Sequence, residues 1–101
     1  MTHDELLTVV QSAPRVAVYL TIEGCGPCHA VRPWAEALFD DPSWRWLAID
    51  TAASPDIAGQ LLVFSHPTLI LFADGREAHR FSRVVPRRAA EQGKADVERR
   101  A

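Results

Sequence analysis

The sequence predicts a three-layer α/β domain in the order α-β-α-β-α-β-β-α, and three observations carry that prediction. Short apolar runs rich in β-branched and aromatic residues alternate with segments whose apolar positions recur at helical spacing. Breaker clusters separate them at Pro14, Asp40–Ser43, Ser54–Asp56, Ser65–Pro67, Asp74–Gly75 and Pro86. The first three strands are joined through helical segments, whereas only a tight turn separates the last two. A central mixed sheet of about four strands with helices on both faces follows.

Asp4 to Ser12 sets Leu6, Leu7, Val9 and Val10 close to helical spacing, with Thr2 as a cap and Pro14 as the stop. Arg15 to Thr21 carries Val16, Val18, Tyr19 and Thr21 with Ala17 and Leu20 between them, the pattern of a strand buried on both faces. From Cys28 to Phe39 the residues Val31, Trp34, Ala35, Leu38 and Phe39 form one apolar stripe, with Arg32 and Glu36 on the wet side and a kink expected at Pro33. Trp44 to Asp50 reads as a strand through Trp46, Leu47, Ala48 and Ile49. Ser54 at a cap and Pro55 at the first helical position open a third helix, whose buried stripe is Ile57, Leu61 and Leu62 and which runs towards Phe64. Thr68 to Phe72 is a strongly apolar strand, Asp74-Gly75 a two-residue hairpin turn, and Glu77 to Val84 the returning antiparallel strand. After Pro86 the apolar content is thin and Gly93 interrupts it, so residues 86–101 are expected to form a weak, frayed terminal helix.

At 101 residues, 48% of them hydrophobic, the chain can build one core but not two, so residues 1–101 are read as a single domain. The net charge of −2 gives no whole-molecule attraction to nucleic acid or anionic lipid. Eight of the eleven Lys and Arg fall between Arg76 and Arg100 against four acids, which leaves +4 there and −6 elsewhere. Only Phe81 is interleaved with those charges, so a solvated helix is preferred to a nucleic-acid surface. Acids follow Met1 where an export signal has a basic region, and no run reaches the roughly 20 apolar residues of a membrane span. A soluble, cytoplasmic, monomeric protein is expected, and two cysteines in a reducing compartment point to catalysis or metal binding rather than to a structural bridge.

Chemistry concentrates at Cys25-Gly26-Pro27-Cys28, where a buried strand turns into a helix. A cysteine at a helix start meets unpaired N–H groups and the positive end of the macrodipole, and both favour the thiolate that attacks a disulfide. Cys25, the better placed and more accessible, is assigned as nucleophile, and Cys28, one turn on, as the resolving thiol. With this turn, the helix containing Pro33, the junction His66-Pro67-Thr68 and the Asp74-Gly75 hairpin, the chain resembles the thioredoxin family from about Val16 to Val84.

That resemblance implies the thioredoxin fold and a thiol–disulfide oxidoreductase reducing protein or small-molecule disulfides without a bound cofactor. It also implies oxidised protein substrates as partners, and a thioredoxin reductase or low-molecular-weight thiol as electron donor. Gly26, Pro27, His66 and Pro67 become the substrate-binding residues, with Pro67 in the cis form that lies against the cysteine pair in the family. Two positions depart from the pattern. Gly24 stands where thioredoxins usually have Trp, and Tyr19 aligns with their buried acid, which assists proton transfer at the second cysteine. Glu23 or a water is left to move that proton, or the exchange is slower. His66, unusual before the proline, is either a thiolate-stabilising ring or a solvent-facing loop residue, and His29 is expected to be exposed.

Three rival readings compete for the same residues. Cys25-x-x-Cys28-His29 satisfies the c-type haem pattern, but no export signal accompanies it and Met1 is the only methionine. A zinc site would draw on Cys25, Cys28 and some of His3, His29, His66 and His79, whose spacings match no common finger, so no metal is assigned. The third is a non-catalytic thioredoxin-fold module that binds a partner or senses redox state; the replaced Trp and acid favour it and the intact cysteine pair argues against it. Trp34, Trp44 and Trp46 are read as core and edge packing.

Overall fold

Elements α1 (His3–Ser12), β1 (Arg15–Thr21), α2 (Gly26–Leu38), β2 (Arg45–Asp50), α3 (Pro55–Leu61), β3 (Thr68–Ala73), β4 (Arg76–Ser82) and α4 (Arg87–Glu98) follow one another in the predicted order. The computed structural model describes residues 1–100. The four strands form one mixed sheet in the order β2-β1-β3-β4, with β1 and β2 parallel and the other pairs antiparallel. β1 is therefore central, and Val16 to Leu20 are all buried, as a run without polar alternation requires.

Period-two alternation sends successive residues of the central strands to opposite faces. Val16, Val18, Leu20, Ile70 and Phe72 pack with Leu6 and Val10 of α1 and Ile57 of α3. Ala17, Tyr19, Leu69 and Leu71 pack with the opposite layer, which includes Phe39 beyond α2 and Ala90 and Val97 of α4. The two hydrophobic clusters are the two halves of the predicted three-layer arrangement.

Capping places α1 as expected: Thr2 accepts from the Glu5 N–H at 3.2 Å while Glu5 accepts from the Thr2 N–H at 2.7 Å, a complete capping box. The Asp74-Gly75 turn has positive φ at both residues, 51° and 83°, the backbone that a tight hairpin demands. α4 is a regular helix on thin apolar content. Gly93 is buried there because a Cβ would lie 3.2 Å from both Leu71 Cδ1 and Phe81 Cζ, so its bare backbone lets α4 approach the sheet. Polar contacts add to this: Lys94 reaches Glu98 at 2.8 Å and Asp41 at 3.4 Å, Asp96 meets His79 at 2.7 Å, and Glu98 accepts the Trp44 indole N–H at 2.9 Å.

Four local expectations are corrected. α2 starts at Gly26, two residues before Cys28, because Cys25 serves as its cap. α3 stops at Leu61, since Leu62 adopts left-handed φ and ψ of 57° and 48°. Val63 is thereby turned inward, while Leu62 and Phe64 are 65% and 85% exposed rather than part of the stripe. Ser54 makes no side-chain cap to α3, and its hydroxyl instead accepts from the terminal amine at 3.4 Å. β4 ends at Ser82, leaving Val84 exposed.

Candidate active site at one end of the sheet

Strand register decides which residues meet. Thr21 pairs with Asp50, Leu20 with Thr68, and Thr68 with Ser82, so the carboxyl ends of β1, β2 and β4 and the amino end of β3 share one edge of the sheet. α2 begins there too, and ligands of open α/β sheets gather at such strand ends.

β1 leaves the sheet through a tight turn in which the Cys25 N–H donates to the Ile22 carbonyl at 3.3 Å. Gly24 takes φ of 81° at the third position of this turn, a conformation that suits glycine and resists any Cβ-bearing residue. The usual aromatic residue is therefore replaced by one that fits the turn actually formed. Cys25 then caps α2: its Sγ accepts the N–H of Cys28 at 3.2 Å. A disulfide joins Cys25 to Cys28, whose Cα atoms are 5.3 Å apart. Cys25 is half-buried and Cys28 only 3% exposed, so the two sulfurs differ in accessibility in the order the sequence suggested. Gly26 and Pro27 lie exposed in the first turn, where Pro27 has no N–H to leave unsatisfied, and α2 continues through Pro33.

The His66-Pro67 bond is cis, as the resemblance implied. Pro67 is buried, and its carbonyl accepts the Arg83 N–H at 2.8 Å. His66 is half-buried, with Nε2 2.9 Å from Thr51 Oγ1. That hydroxyl also lies 3.4 Å from the Thr21 carbonyl, to which it donates, and Thr51 N–H donates to the same carbonyl at 3.0 Å. With the hydroxyl proton so used, Nε2 is the nitrogen that donates to Thr51.

Tyr19 is fully buried, and its hydroxyl donates to the Cys28 carbonyl at 2.7 Å. Burial pushes its pKa up from the ordinary phenol value. Glu23 is exposed and makes no hydrogen bond or ion pair among the described residues, and His29 is exposed as expected. The remaining histidines do not converge: His79 pairs with Asp96, and among the described residues no three His, Cys, Asp or Glu side chains group as metal ligands. A hollow of about 350 Å³ adjoins the cysteine turn, lined by Ile22, Glu23, Gly24, His29 and Arg32 among others. A larger one, about 580 Å³ between Glu36, Phe39, Asp41 and Trp46, lies at the far end of α2, whereas the smaller is lined by Glu23 and Gly24, the residues leading into Cys25, so we place the chemistry beside the smaller.

Sequence reasoning missed Thr51 and Arg83. Thr51 sits one residue beyond a strand paired with β1, a signal available only once that pairing is known. Arg83 has φ of 70°, and nothing in an arginine announces a left-handed backbone.

The family model described as Thioredoxin matches residues 1–93. A thioredoxin of Chlamydia muridarum is 47% identical over 66 residues, covering 64% of this chain and 65% of that protein. One from Chlamydia trachomatis is 48% identical over 59 residues, covering 57% and 58%. The match thus spans a little under two thirds of the length of these curated relatives. Among solved structures, a thioredoxin of Entamoeba histolytica superposes with a TM-score of 0.83 at 25% identity, covering 94% of this chain and 93% of that one. Among the described residues no helix is long and apolar enough to cross a membrane.

Proposed function

This chain belongs to the thioredoxin family, and we propose that it is a thiol–disulfide oxidoreductase that reduces protein or small-molecule disulfides through Cys25 and Cys28. The observation that carries the reading is the position of Cys25 Sγ at the cap of α2, accepting a helix N–H at 3.2 Å beside a buried second cysteine. A hydrogen bond to a charged group contributes roughly 1.5–3 kcal/mol. The helix terminus adds about 0.3–1 kcal/mol. Together they select the thiolate of Cys25 as the attacking species.

The exchange runs in two steps. The Cys25 thiolate attacks one sulfur of the substrate disulfide, forming a mixed disulfide and expelling the other substrate sulfur as a thiolate, which takes a proton from water. Cys28, having lost its proton, then attacks Cys25 Sγ. The Cys25–substrate bond breaks, the second substrate sulfur leaves as a thiolate and is protonated, and the Cys25–Cys28 disulfide forms. Two electrons pass from the dithiol to the substrate. A thioredoxin reductase or a low-molecular-weight thiol returns them.

Gly26, Pro27, His66 and Pro67 form the surface against which the substrate chain lies. That role is supported by the exposure of the first two and by the convergence of the cis peptide on the same sheet edge. Glu23 or a water accepts the Cys28 proton; a pH profile of Glu23→Gln matching wild type removes Glu23 from that role. All 101 residues act as one cytoplasmic, monomeric domain without a resident cofactor.

Trapping tests the assignment. Cys28→Ser is expected to accumulate mixed disulfides through Cys25, identified by mass, and to lose insulin reduction. Efficient trapping by Cys25→Ser instead reverses the two roles, and absence of insulin reduction by the wild type removes the activity.

A further inference from the structure

Tyr19 carries the only hydroxyl among the five buried residues of β1, and its ring is fully buried in the sheet's packed layer. It stacks on Trp46 with centroids 5.6 Å apart and planes 21° from parallel, and Trp46 stacks in turn on Phe39 at 6.2 Å and 18°. A buried hydroxyl must find a partner. The partner here is the carbonyl of Cys28, at 2.7 Å, while the N–H of the same residue donates to Cys25 Sγ at 3.2 Å. Both peptide units of Cys28 are therefore tied, one to the central strand and one to the neighbouring sulfur. Burial keeps the Tyr19 hydroxyl protonated at neutral pH, so the bond to the strand does not come and go with titration.

We propose that Tyr19 is a positioning residue for the resolving step: its hydroxyl, clamped on the Cys28 carbonyl, holds the Cys28 thiol against Cys25 while the mixed disulfide exists. The inference rests on the exchange reading above. During that interval the Cys25–Cys28 bond is absent, and Cys25 Sγ is shared with the substrate. The hydroxyl bond then ties the first turn of α2 to the sheet without depending on either sulfur. Resolution is intramolecular, so its rate follows how closely and how constantly the two sulfurs are held together. The first step makes no such demand, because the attacking Cys25 meets a sulfur brought from outside. Loss of the hydroxyl is thus expected to slow one of two steps.

A single-turnover reaction of the reduced full chain with dithio-bis-nitrobenzoate separates them. Attack by Cys25 releases one coloured nitrothiobenzoate, and resolution by Cys28 releases the second. Tyr19→Phe keeps the ring and its stacking, and should leave the first phase unchanged while slowing the second about fivefold, the factor that one ordinary hydrogen bond is worth. Leu71→Val, in the same buried layer but away from the cysteines, serves as the packing control. It should lower the thermal midpoint and spare both phases. The proposal is overturned if the second phase of Tyr19→Phe matches wild type, or if Leu71→Val slows that phase equally. Release of no chromophore by the wild type is a different failure: it removes the exchange reading itself, and the role of Tyr19 with it.

Discussion

Replacing Arg83 by glycine should make this protein more stable, although it removes a whole side chain. Arg83 has φ of 70°, its N–H donates to Pro67 at 2.8 Å, and the next residue, Val84, donates back to the Ser82 carbonyl at 2.8 Å. This is a three-residue turn of the rare, strained hand. A residue with a Cβ pays roughly 1–2 kcal/mol in left-handed backbone. Glycine removes that cost and gives back about 0.5–1 kcal/mol through its greater freedom in the unfolded chain. The Arg83 side chain is exposed and makes no ion pair among the described residues, so little else is lost. The net gain is about 0.5–1 kcal/mol, and for a domain of this size each kcal/mol raises the thermal midpoint by about 4–8 °C. Calorimetry of the oxidised protein should therefore show Arg83→Gly melting roughly 2–8 °C higher. Arg83→Ala keeps the Cβ and the strain, and should show no gain. Equal midpoints for the glycine and alanine variants would falsify the assignment of strain to this backbone.

Four further outcomes follow from the same geometry. Gly24→Trp, which installs the aromatic usual in the family, should lower the melting temperature through a backbone cost of roughly 1–2 kcal/mol, because φ is 81° while the space around the Cβ is open; an unchanged melting temperature counts against it. Gly93→Val should lower the urea midpoint by the equivalent of about 1–3 kcal/mol, since its Cβ meets Leu71 and Phe81 at 3.2 Å; a wild-type midpoint would mean that α4 can retreat freely. Thr2→Ala deletes the capping box of α1 and should cost about 1 kcal/mol in the same measurement. Stability should also fall in acid: Asp96 is held below the usual carboxylate range by His79 and Arg100, and Glu98 by Lys94 and the Trp44 indole. Folded values below unfolded ones mean that this contribution is complete above about pH 5 and is lost as pH falls through the folded values. Glu98→Gln should flatten that acid limb in urea titrations, and an unaltered limb would remove Glu98 from it.

The features legible in the sequence are those that side-chain chemistry alone specifies. The run Val16–Leu20 had no polar alternation, so it had to be buried on both faces, and it is. Asp74-Gly75 was legible because few residue pairs accept two successive positive φ values. The α3 terminus was not legible for the converse reason. Ile57, Leu61 and Leu62 keep a helical rhythm, but Leu62 turns left-handed and the chain leaves the helix before the rhythm ends. Gly93 interrupts a helical pattern in the sequence, whereas in the fold it lets α4 lie against Leu71 of β3 and Phe81 of β4, which only the packed sheet reveals. At the site, Cys25, Cys28 and Pro67 were found through motif and resemblance. Thr51 and the bond from Tyr19 to Cys28 became visible only with the register of β1 against β2 and the packing of α2 on the sheet.

The departures from the family pattern share a physical logic. The segment Ser65–Thr68 is held mostly through backbone groups: the Arg83 N–H binds the Pro67 carbonyl, the Thr68 hydroxyl binds the Ser65 carbonyl at 2.8 Å, and Thr51 ties the His66 ring to the end of β1. Cys25 is likewise placed by main-chain bonds, its N–H to Ile22 and its sulfur to the N–H of Cys28. A site framed by peptide groups constrains φ and ψ more tightly than it constrains side-chain identity. Glycine at position 24 and arginine at position 83 are two answers to the same demand for left-handed backbone at this edge, one free of strain and one not. Tyr19 differs in what it holds: its bond runs through a hydroxyl, as those of Thr51 and Thr68 do, but it is made to the carbonyl of the resolving cysteine. It follows that substitutions at Gly24 and Arg83 should act on stability first, and substitution at Tyr19 on the rate of exchange.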